Sequence, residues 1–459
     1  MKRRKFIGNT ALGTAAMVGF PTIVPASVLG KDAPSNKINI GQIGCGRIAK
    51  DHDMPEIMRF NSARLIAVSD LDSNRMNDAR IRVNDFYKKQ TGNEKYVAAK
   101  MYDDYREMLL NKDIDAVVIS TPDHWHSQPA MEAALAGKDI YVQKPTSLTV
   151  REGQQLRAVV QKTGAILQVG TQQREMPQFR VAAELVRNGR IGKIHTVKIG
   201  LPGDPAGPDA PAMPVPSNLN YDMWLGSTPE VPYTEIGVHP QQGYSRPGWL
   251  RQRKYGAGMI TGWGQHHYDS AAWGMNTELS GPSSVEALAE FPKSGLWNVH
   301  GDFFVKHEYD KEGITVYTSG GYDNGIKYIG EDGWIFVSRG AYTASSSDPV
   351  AQEKSSKALN ASNPDILNSV IGENETHLYK IDNQHGNWLE CIKTRKAPIS
   401  PIEKGHKACT ICLISDIAMQ FDRKLEWDNE KEVFINDREA NALLHRDQRK
   451  PYGTDYVKV

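Results

Sequence analysis

Over the first third of the chain, apolar positions fall in short runs that end in turns. Residues 38–43 alternate apolar with small or polar side chains, as a short strand does, and 65–69 form a second apolar run. Residues 115–120, 140–143 and 166–170 are nearly continuous apolar stretches, the pattern of parallel strands buried on both faces. Helical spacing at 105–110 and 130–136 falls between them, the latter closed by Gly137. Strand and helix in alternation predict an α/β unit around a parallel sheet.

Beyond Arg174 the pattern changes. A helix is predicted over 179–188, ending at Gly189, and a strand over 195–199. Residues 202–216 are dense in Pro, Gly and Ala and are expected to be irregular. Strand patterns then recur at 285–290, 303–309, 314–319, 326–329 and 334–338 with no helix between them, which predicts an open antiparallel or mixed sheet. Two helices, near 383–394 and 403–421, close the chain, and 345–363 reads as an exposed polar insertion.

With 459 residues the chain is too long for one core, so two domains are expected. A formal net charge of +1 argues against nucleic acid and acidic membranes as partners. The first 26 residues carry Lys2, Arg3, Arg4 and Lys5 and no acid, so their loss turns the small positive charge negative. Arg3-Arg4 precedes a mild hydrophobic run, 11–24, and a small-residue cleavage site at Val24-Pro25-Ala26. That is the pattern of a twin-arginine leader, giving residues 1–36 as signal and linker and a periplasmic destination. The run is too short and too polar for a membrane anchor, so no membrane insertion is expected. Of the four cysteines, Cys409 and Cys412 have C-x-x-C spacing in an apolar helical run without a second ligand pair, and are expected to be structural.

The chemistry concentrates at strand ends. Gly44-Cys45-Gly46-Arg47-Ile48-Ala49 follows the first strand as G-x-G-x-x-A: glycines for a tight turn and a close pyrophosphate, a small residue for helix packing, and a helix N-terminus aimed at the phosphates. The second strand ends at Asp70, 26 residues after Gly44, where a carboxylate accepts ribose hydroxyls and favours NAD over NADP. Residues 37–172 are therefore expected to form a Rossmann domain and 173–459 a C-terminal α/β domain for substrate binding and oligomerisation. Lys144 ends a buried strand and is followed by Pro145, which fixes the backbone and aims the side chain at a partner or cavity. Glycine-rich 256–264 leads into Gln265-His266-His267-Tyr268-Asp269, with His266 and Asp269 on one helical face. No metal site is expected, because the histidines lack ligand spacing supported by a carboxylate.

Together, G-x-G-x-x-A at 44–49, T-P-x-x-x-H at 121–126, the Lys-Pro at 144–145 and G-x-G-M-x-x-x-W-G-x-H-x-x-D ending at Asp269 resemble the Gfo/Idh/MocA family of NAD(P)-dependent oxidoreductases. The resemblance runs from Lys37 to about Phe421. It implies that Lys144 contacts the nicotinamide ribose and the reacting hydroxyl, and that His266 acts as acid or base. It places Thr121, Pro122 and His126 beside the nicotinamide. The expected nucleotide-facing set is Gly44, Gly46, Arg47, Ile48, Asp70, Thr121, Pro122, His126, Lys144 and Gln172. Arg174, Trp263 and His267 are the expected substrate contacts, with Trp224 and Tyr268 as further sugar-binding candidates.

Two positions depart from the family pattern. The glutamate of its E-K-P is Gln143, and the aspartate four residues before its histidine is Gly262. Some other carboxylate, or His267, is then expected to set the tautomer of His266. The function expected is an exported homo-oligomeric enzyme, a dimer or tetramer, that moves hydride from a secondary hydroxyl of a sugar or glycoside, at C3 for a 3-keto product, to tightly held NAD. Rival readings are a redox-neutral NAD-dependent glycosidase and a non-catalytic sugar-binding module.

Overall fold

A computed structural model describes residues 37–97, 99–340 and 358–458. The leader, and most of the polar insertion expected at 345–363, lie outside the described residues.

The first sheet is built from β1 (Ile38–Ile43), α1 (Met54–Met58), β2 (Ala63–Ser69), α2 (Ser73–Thr91), β3 (Lys100–Tyr102), α3 (Tyr105–Leu109), β4 (Ala116–Ile119), α4 (Ser127–Leu135), β5 (Asp139–Gln143), α5 (Val150–Thr163) and β6 (Leu167–Gly170). Its strand order is β3-β2-β1-β4-β5-β6, all parallel, the Rossmann arrangement. All residues of β4, β5 and β6 are buried, as expected for strands covered on both faces. A π-helical segment, Ala49–Asp53, runs straight into α1. The reading of the hydrophobic pattern passes over α2, whose buried Met76, Ala79, Val83 and Tyr87 nevertheless recur at helical spacing. Asp72 caps it, accepting the backbone N–H groups of Asn74 and Arg75.

The chain continues through α6 (Pro177–Arg187), β7 (Ile194–Gly200), α7 (Tyr221–Leu225), α8 (Met259–Gly262) and α9 (Gly264–Met275). It then lays down β8 (Ser284–Ala289), β9 (Phe303–Tyr309), β10 (Ile314–Ser319), β11 (Gly325–Gly330), β12 (Gly333–Val337) and β13 (Leu359–Ala361). The last elements are α10 (Pro364–Asn368), α11 (Gln384–Thr394), α12 (Ile402–Ala418), β14 (Leu425–Asp428), β15 (Val433–Phe434) and α13 (Arg438–Ala442). The second sheet has the order β13-β12-β11-β7-β10-β9-β8-β14-β15. It is mixed, because β7 and β10 run parallel while their other neighbours are antiparallel. One apolar core joins the sheet residues Val197, Val305 and Val316 to Tyr268 of α9 and Ile414 of α12. Leu288 of β8 and Phe304 of β9 are exposed.

Late segments return to the first sheet. Trp388, Leu389 and Cys391 of α11 share a core with β1, β2 and β4, and His385 stacks on Tyr141 of β5. The tail is fastened to α5 by Gln155, whose amide donates to the carbonyls of Thr454 and Val457. Cys409 and Cys412 are buried free thiols of α12.

Glu432, beside β15, ties α5 to α12: it accepts both guanidinium arms of Arg157 at 2.9 and 3.1 Å, His406 Nε2 at 3.0 Å and Lys407 Nζ at 2.8 Å. Burial alone would raise its pKa, but these donors, His406 foremost, hold it well below the usual carboxylate range. Burial also lowers the pKa of His406. Both shifts mean that the unfolded chain binds more protons, so this stability is full above the ordinary histidine value and is lost as pH falls, first through His406 and then through the carboxylate range. Glu432→Gln is expected to lower the melting temperature at pH 7 and to flatten its decline below pH 5. A variant whose melting curve tracks the wild type at every pH would refute this role.

Candidate active site

The carboxyl ends of β1, β2, β4 and β5 open into a cavity of about 370 Å³. This is the switch point of the Rossmann sheet, where the loops after β1 and β4 diverge. Its wall includes Gly44, Gly46, Arg47, Ile48, Asp70, Thr121, Pro122, His126, Lys144, Gln172, Trp263 and His266, brought together from the strand ends of the first sheet and from the start of α9.

The floor fits a dinucleotide. Gly44 has φ +81°, and a Cβ there would lie 2.9 Å from the carbonyl carbon and oxygen of Ser120, so only glycine lets this turn meet the end of β4. A Cβ on Gly46 would meet nothing closer than Arg75 Nη1 at 3.8 Å, so the space above it is open for a pyrophosphate. Asp70 is pinned by backbone donors, Cys45 N–H to Oδ2 at 2.6 Å and Asp72 N–H to Oδ1 at 2.8 Å, and burial raises its pKa against those bonds. It faces the cavity beside Arg75, whose guanidinium donates to the Pro240 carbonyl.

Lys144 directly follows β5, is joined to Pro145 by a cis peptide and is part-buried. Its Nζ donates to the carbonyl of Gly262 at 2.7 Å. Burial lowers its pKa; Asp123 opposes this, and the guanidinium groups of Arg339, Arg246 and Arg47 add to it. Asp123, in the 3₁₀ turn Asp123–Trp125, is 3 % exposed and lines the same cavity, and its Oδ2 has no hydrogen-bond partner among the described residues. Burial raises its pKa and Lys144 only partly offsets the rise. His126 joins the loops: Nε2 lies 2.9 Å from the Thr121 carbonyl and Nδ1 2.5 Å from that of Pro145. Burial brings its pKa down to about 4.

Both departures from the family pattern have a local answer. Gln143 donates from Nε2 to Asp53 Oδ1 at 2.8 Å, so the negative charge missing from β5 is supplied by the helix after β1. Asp53 is fully buried and also accepts Ser120 Oγ at 2.5 Å and His52 Nδ1 at 3.0 Å, with His385 Nε2 3.3 Å away. These donors overcome its burial and keep it ionised. His52, Asp53 and His385 bring ligand-type atoms within 4.8 Å of one another, and Asp53 is already saturated by protein donors. At the second departure, the Gly262 backbone carbonyl receives Lys144 in place of a side-chain carboxylate.

Four expectations are corrected by the geometry. Arg174 is absent from the cavity wall: it is 2 % exposed, its Nε and Nη2 donate to Asp269 at 2.6 and 2.8 Å, and Nη1 donates to Glu278 at 2.8 Å. His267 is turned away because it follows His266 by about 100° on α9; its Nδ1 meets Gln173 and its Nε2 meets Asn324. Tyr268 donates its hydroxyl to Thr318 inside the core. Among the described residues neither His267 nor a carboxylate orients His266, whose Nδ1 has no partner there and whose pKa burial pushes well below the ordinary value, with Arg339 and Lys144 adding to the effect.

Sequence reasoning missed Asp123, Arg246, Trp249 and Arg339, all on the cavity wall. Asp123 stands inside the T-P-x-x-x-H stretch, and its place one residue past Pro122 was a usable signal. Arg246 and Arg339 come from segments without periodicity. Arg339 stacks on Trp263 with its guanidinium carbon 4.5 Å from the ring centre, and Trp224 completes an aromatic wall.

The sheet order, the glycine turn and the acid after β2 define a dinucleotide-binding oxidoreductase scaffold. Comparison with known proteins agrees over nearly all of the described chain. The profile described as "Oxidoreductase family, NAD-binding Rossmann fold" matches residues 38–171, and "Oxidoreductase family, C-terminal alpha/beta domain" matches 207–454. The chain belongs to the Gfo/Idh/MocA oxidoreductase family, and its cofactor is NAD. It is 29% identical to myo-inositol 2-dehydrogenase of Thermotoga maritima over 188 residues, 41% of this chain and 52% of that one. It is 30% identical to the NAD⁺-dependent scyllo-inositol 2-dehydrogenase of Bacillus subtilis over 158 residues, 34% of this chain and 42% of that one. The matches thus span about half the length of these relatives. Among solved structures, the aldose–aldose oxidoreductase of Caulobacter crescentus, complexed with glycerol, shares the fold at 20% identity and a TM-score of 0.59, over 85% of this chain and 99% of that one. The WlbA dehydrogenase of Bordetella pertussis, complexed with NADH and UDP-GlcNAcA, shares it at 17% and 0.58, over 85% and 99%.

Proposed function

We propose that the protein oxidises a secondary hydroxyl of a sugar or glycoside, at C3 for a 3-keto product, using NAD that it holds tightly. The observation that carries this reading is the convergence of Lys144, Asp123 and His266 on the cavity floored by Gly44, Gly46 and Asp70. Family relatives that act on inositols support a polyol or sugar as the substrate class.

Bound NAD⁺ supplies a two-electron acceptor. Gly44 and Gly46 would take the pyrophosphate and Asp70 the adenosine ribose. Lys144 Nζ, steered by the Gly262 carbonyl, sets a cation where an alkoxide develops, and a preorganised charge in a site closed to water is worth most there. His266, buried and neutral, stands on the same cavity wall. Trp263 and Trp224 offer ring faces to a pyranose, and Arg246 and Arg339 make that part of the wall cationic.

The proposal includes export through a twin-arginine leader to the periplasm, checked by cell fractionation, and a dimer or tetramer, checked by light scattering. Exposed Leu288 and Phe304 on the second sheet support self-association. The activity is tested on protein purified without added nucleotide, by following the reduced-nicotinamide absorbance as glucose, myo-inositol and methyl glucosides are added in turn. A lasting rise of about one equivalent per site is expected. Free sugar appearing without such a rise would replace oxidation by redox-neutral cleavage. Failure to carry or bind any NAD would leave a sugar-binding module.

A further inference from the structure

We propose that Asp123 is the group that accepts the substrate's hydroxyl proton, with Lys144 holding the oxygen it leaves. This rests on the oxidoreductase reading and assigns the proton step within it. Three features of the cavity carry the assignment. Asp123 is buried in the same cavity as Lys144, and its Oδ2 has no partner among the described residues, although buried carboxylate oxygens are ordinarily satisfied. Lys144 Nζ is held by a backbone carbonyl, because Gly262 offers no carboxylate. His266, the other candidate, has no acceptor at Nδ1 among the described residues to fix its tautomer, and its imidazolium would stand against Arg339 and Lys144.

The carboxylate that a side chain at 262 would have presented to the lysine is thus supplied from the loop after β4. The groups facing the pair are Arg339, Arg246 and Arg47 on the cationic side, with His126, His266 and Cys412 around Lys144. A net cationic surrounding keeps a developing alkoxide stable. Burial of Asp123 brings its proton affinity closer to neutrality, where a general base works best.

The substrate's O–H bond breaks and an O–H bond forms on a carboxylate oxygen of Asp123. The C–H bond of the same carbon breaks, its electron pair going with hydrogen to nicotinamide C4 as the C=O bond forms. The alcohol is oxidised by two electrons, NAD⁺ is reduced to NADH, and one proton remains on Asp123.

The test compares wild type, Asp123→Asn, Asp123→Glu and His266→Asn in single-turnover reduction of the bound nucleotide by the probe sugars, from pH 5 to 9. Asp123→Asn is expected to slow hydride transfer about 10²–10⁴-fold and to erase the acidic limb of the profile, while NAD content stays at wild-type level. Asp123→Glu is expected to restore part of the rate with the limb displaced, and His266→Asn to keep the limb. Wild-type rate and limb in Asp123→Asn would overturn the inference while leaving the oxidoreductase reading intact. A wild type that reduces no nucleotide with any probe sinks both the oxidoreductase reading and the proton step built on it. A second measurement needs no substrate: labelling of Lys144 by trinitrobenzenesulfonate, read by mass spectrometry. Removing the carboxylate is expected to lower the half-labelling pH of Lys144 by about one unit, since an opposite charge close by favours the ammonium form. An unchanged half-labelling pH would refute the pairing of the two groups even if Asp123→Asn were too unstable for kinetics.

Discussion

Lys144→Met is expected to slow hydride transfer by about 10²–10³-fold or more, the loss found when one preorganised donor to a developing oxyanion is removed. Methionine keeps the length of the side chain and removes the charge that the Gly262 carbonyl steers. Two consequences separate this from a general disturbance. Asp123 loses the cation that partly offsets its burial, so its pKa rises further and any remaining activity shifts its acidic limb to higher pH. Arg339, Arg246 and Arg47 lose a repulsive neighbour, which offsets part of what the stranded Asp123 carboxylate costs, so the fall in rate is expected to exceed any fall in NAD retention. The rate and profile come from stopped-flow absorbance, the retention from the nucleotide content of the purified variant. Lys144→Met with full activity toward the sugar that reduces the wild type would exclude Lys144 from the chemistry and leave a binding role for the cavity.

The sequence was most informative where burial is two-sided or a backbone conformation is forced. Strands β4, β5 and β6 are buried on both faces, so their positions are written as unbroken apolar runs. Gly44 is legible because no other residue fits a positive φ against Ser120. Side-chain direction in irregular or partly irregular segments was not legible. The turn Gln172–Glu175 illustrates the limit: Gln172 faces the cavity, whereas Arg174, two residues on, enters the second core. Both follow a Rossmann strand, and nothing in their order tells them apart. The charge exchange between Gln143 and Asp53 was hidden for another reason. It couples positions 90 apart in the chain, and Asp53 reads in isolation as one more polar residue on a helix. Arg246 and Arg339 reach the cavity from loops whose course depends on the completed fold.

Arg174 supplies the second large expected effect, and its sign separates structure from substrate binding. Arg174→Met is expected to cost about 3–5 kcal/mol of stability, the range seen when one partner of a buried ion pair is removed. The reason lies in what stays behind: Asp269, 1 % exposed, loses the bidentate partner that meets both its oxygens. Glu278 is less affected, because Lys404 at 2.8 Å and Arg187 at 3.4 Å still face it. Pairing Arg174→Met with Asp269→Leu removes the stranded charge as well, so the double variant is expected to recover most of the loss, a non-additivity that a double-mutant cycle measures directly. Methionine also fits the space beside Trp273, whose ring now lies 5.0 Å from the guanidinium carbon. Denaturant unfolding of the four proteins gives the energies, and the KM for the reducing sugar gives the control. Because the side chain sits behind the cavity wall, that KM is expected to stay within about twofold in the folded variants, as when no transition-state or ground-state contact is lost. Unchanged stability in Arg174→Met together with a large rise in KM would return Arg174 to the substrate site and require the wall to be redrawn around it.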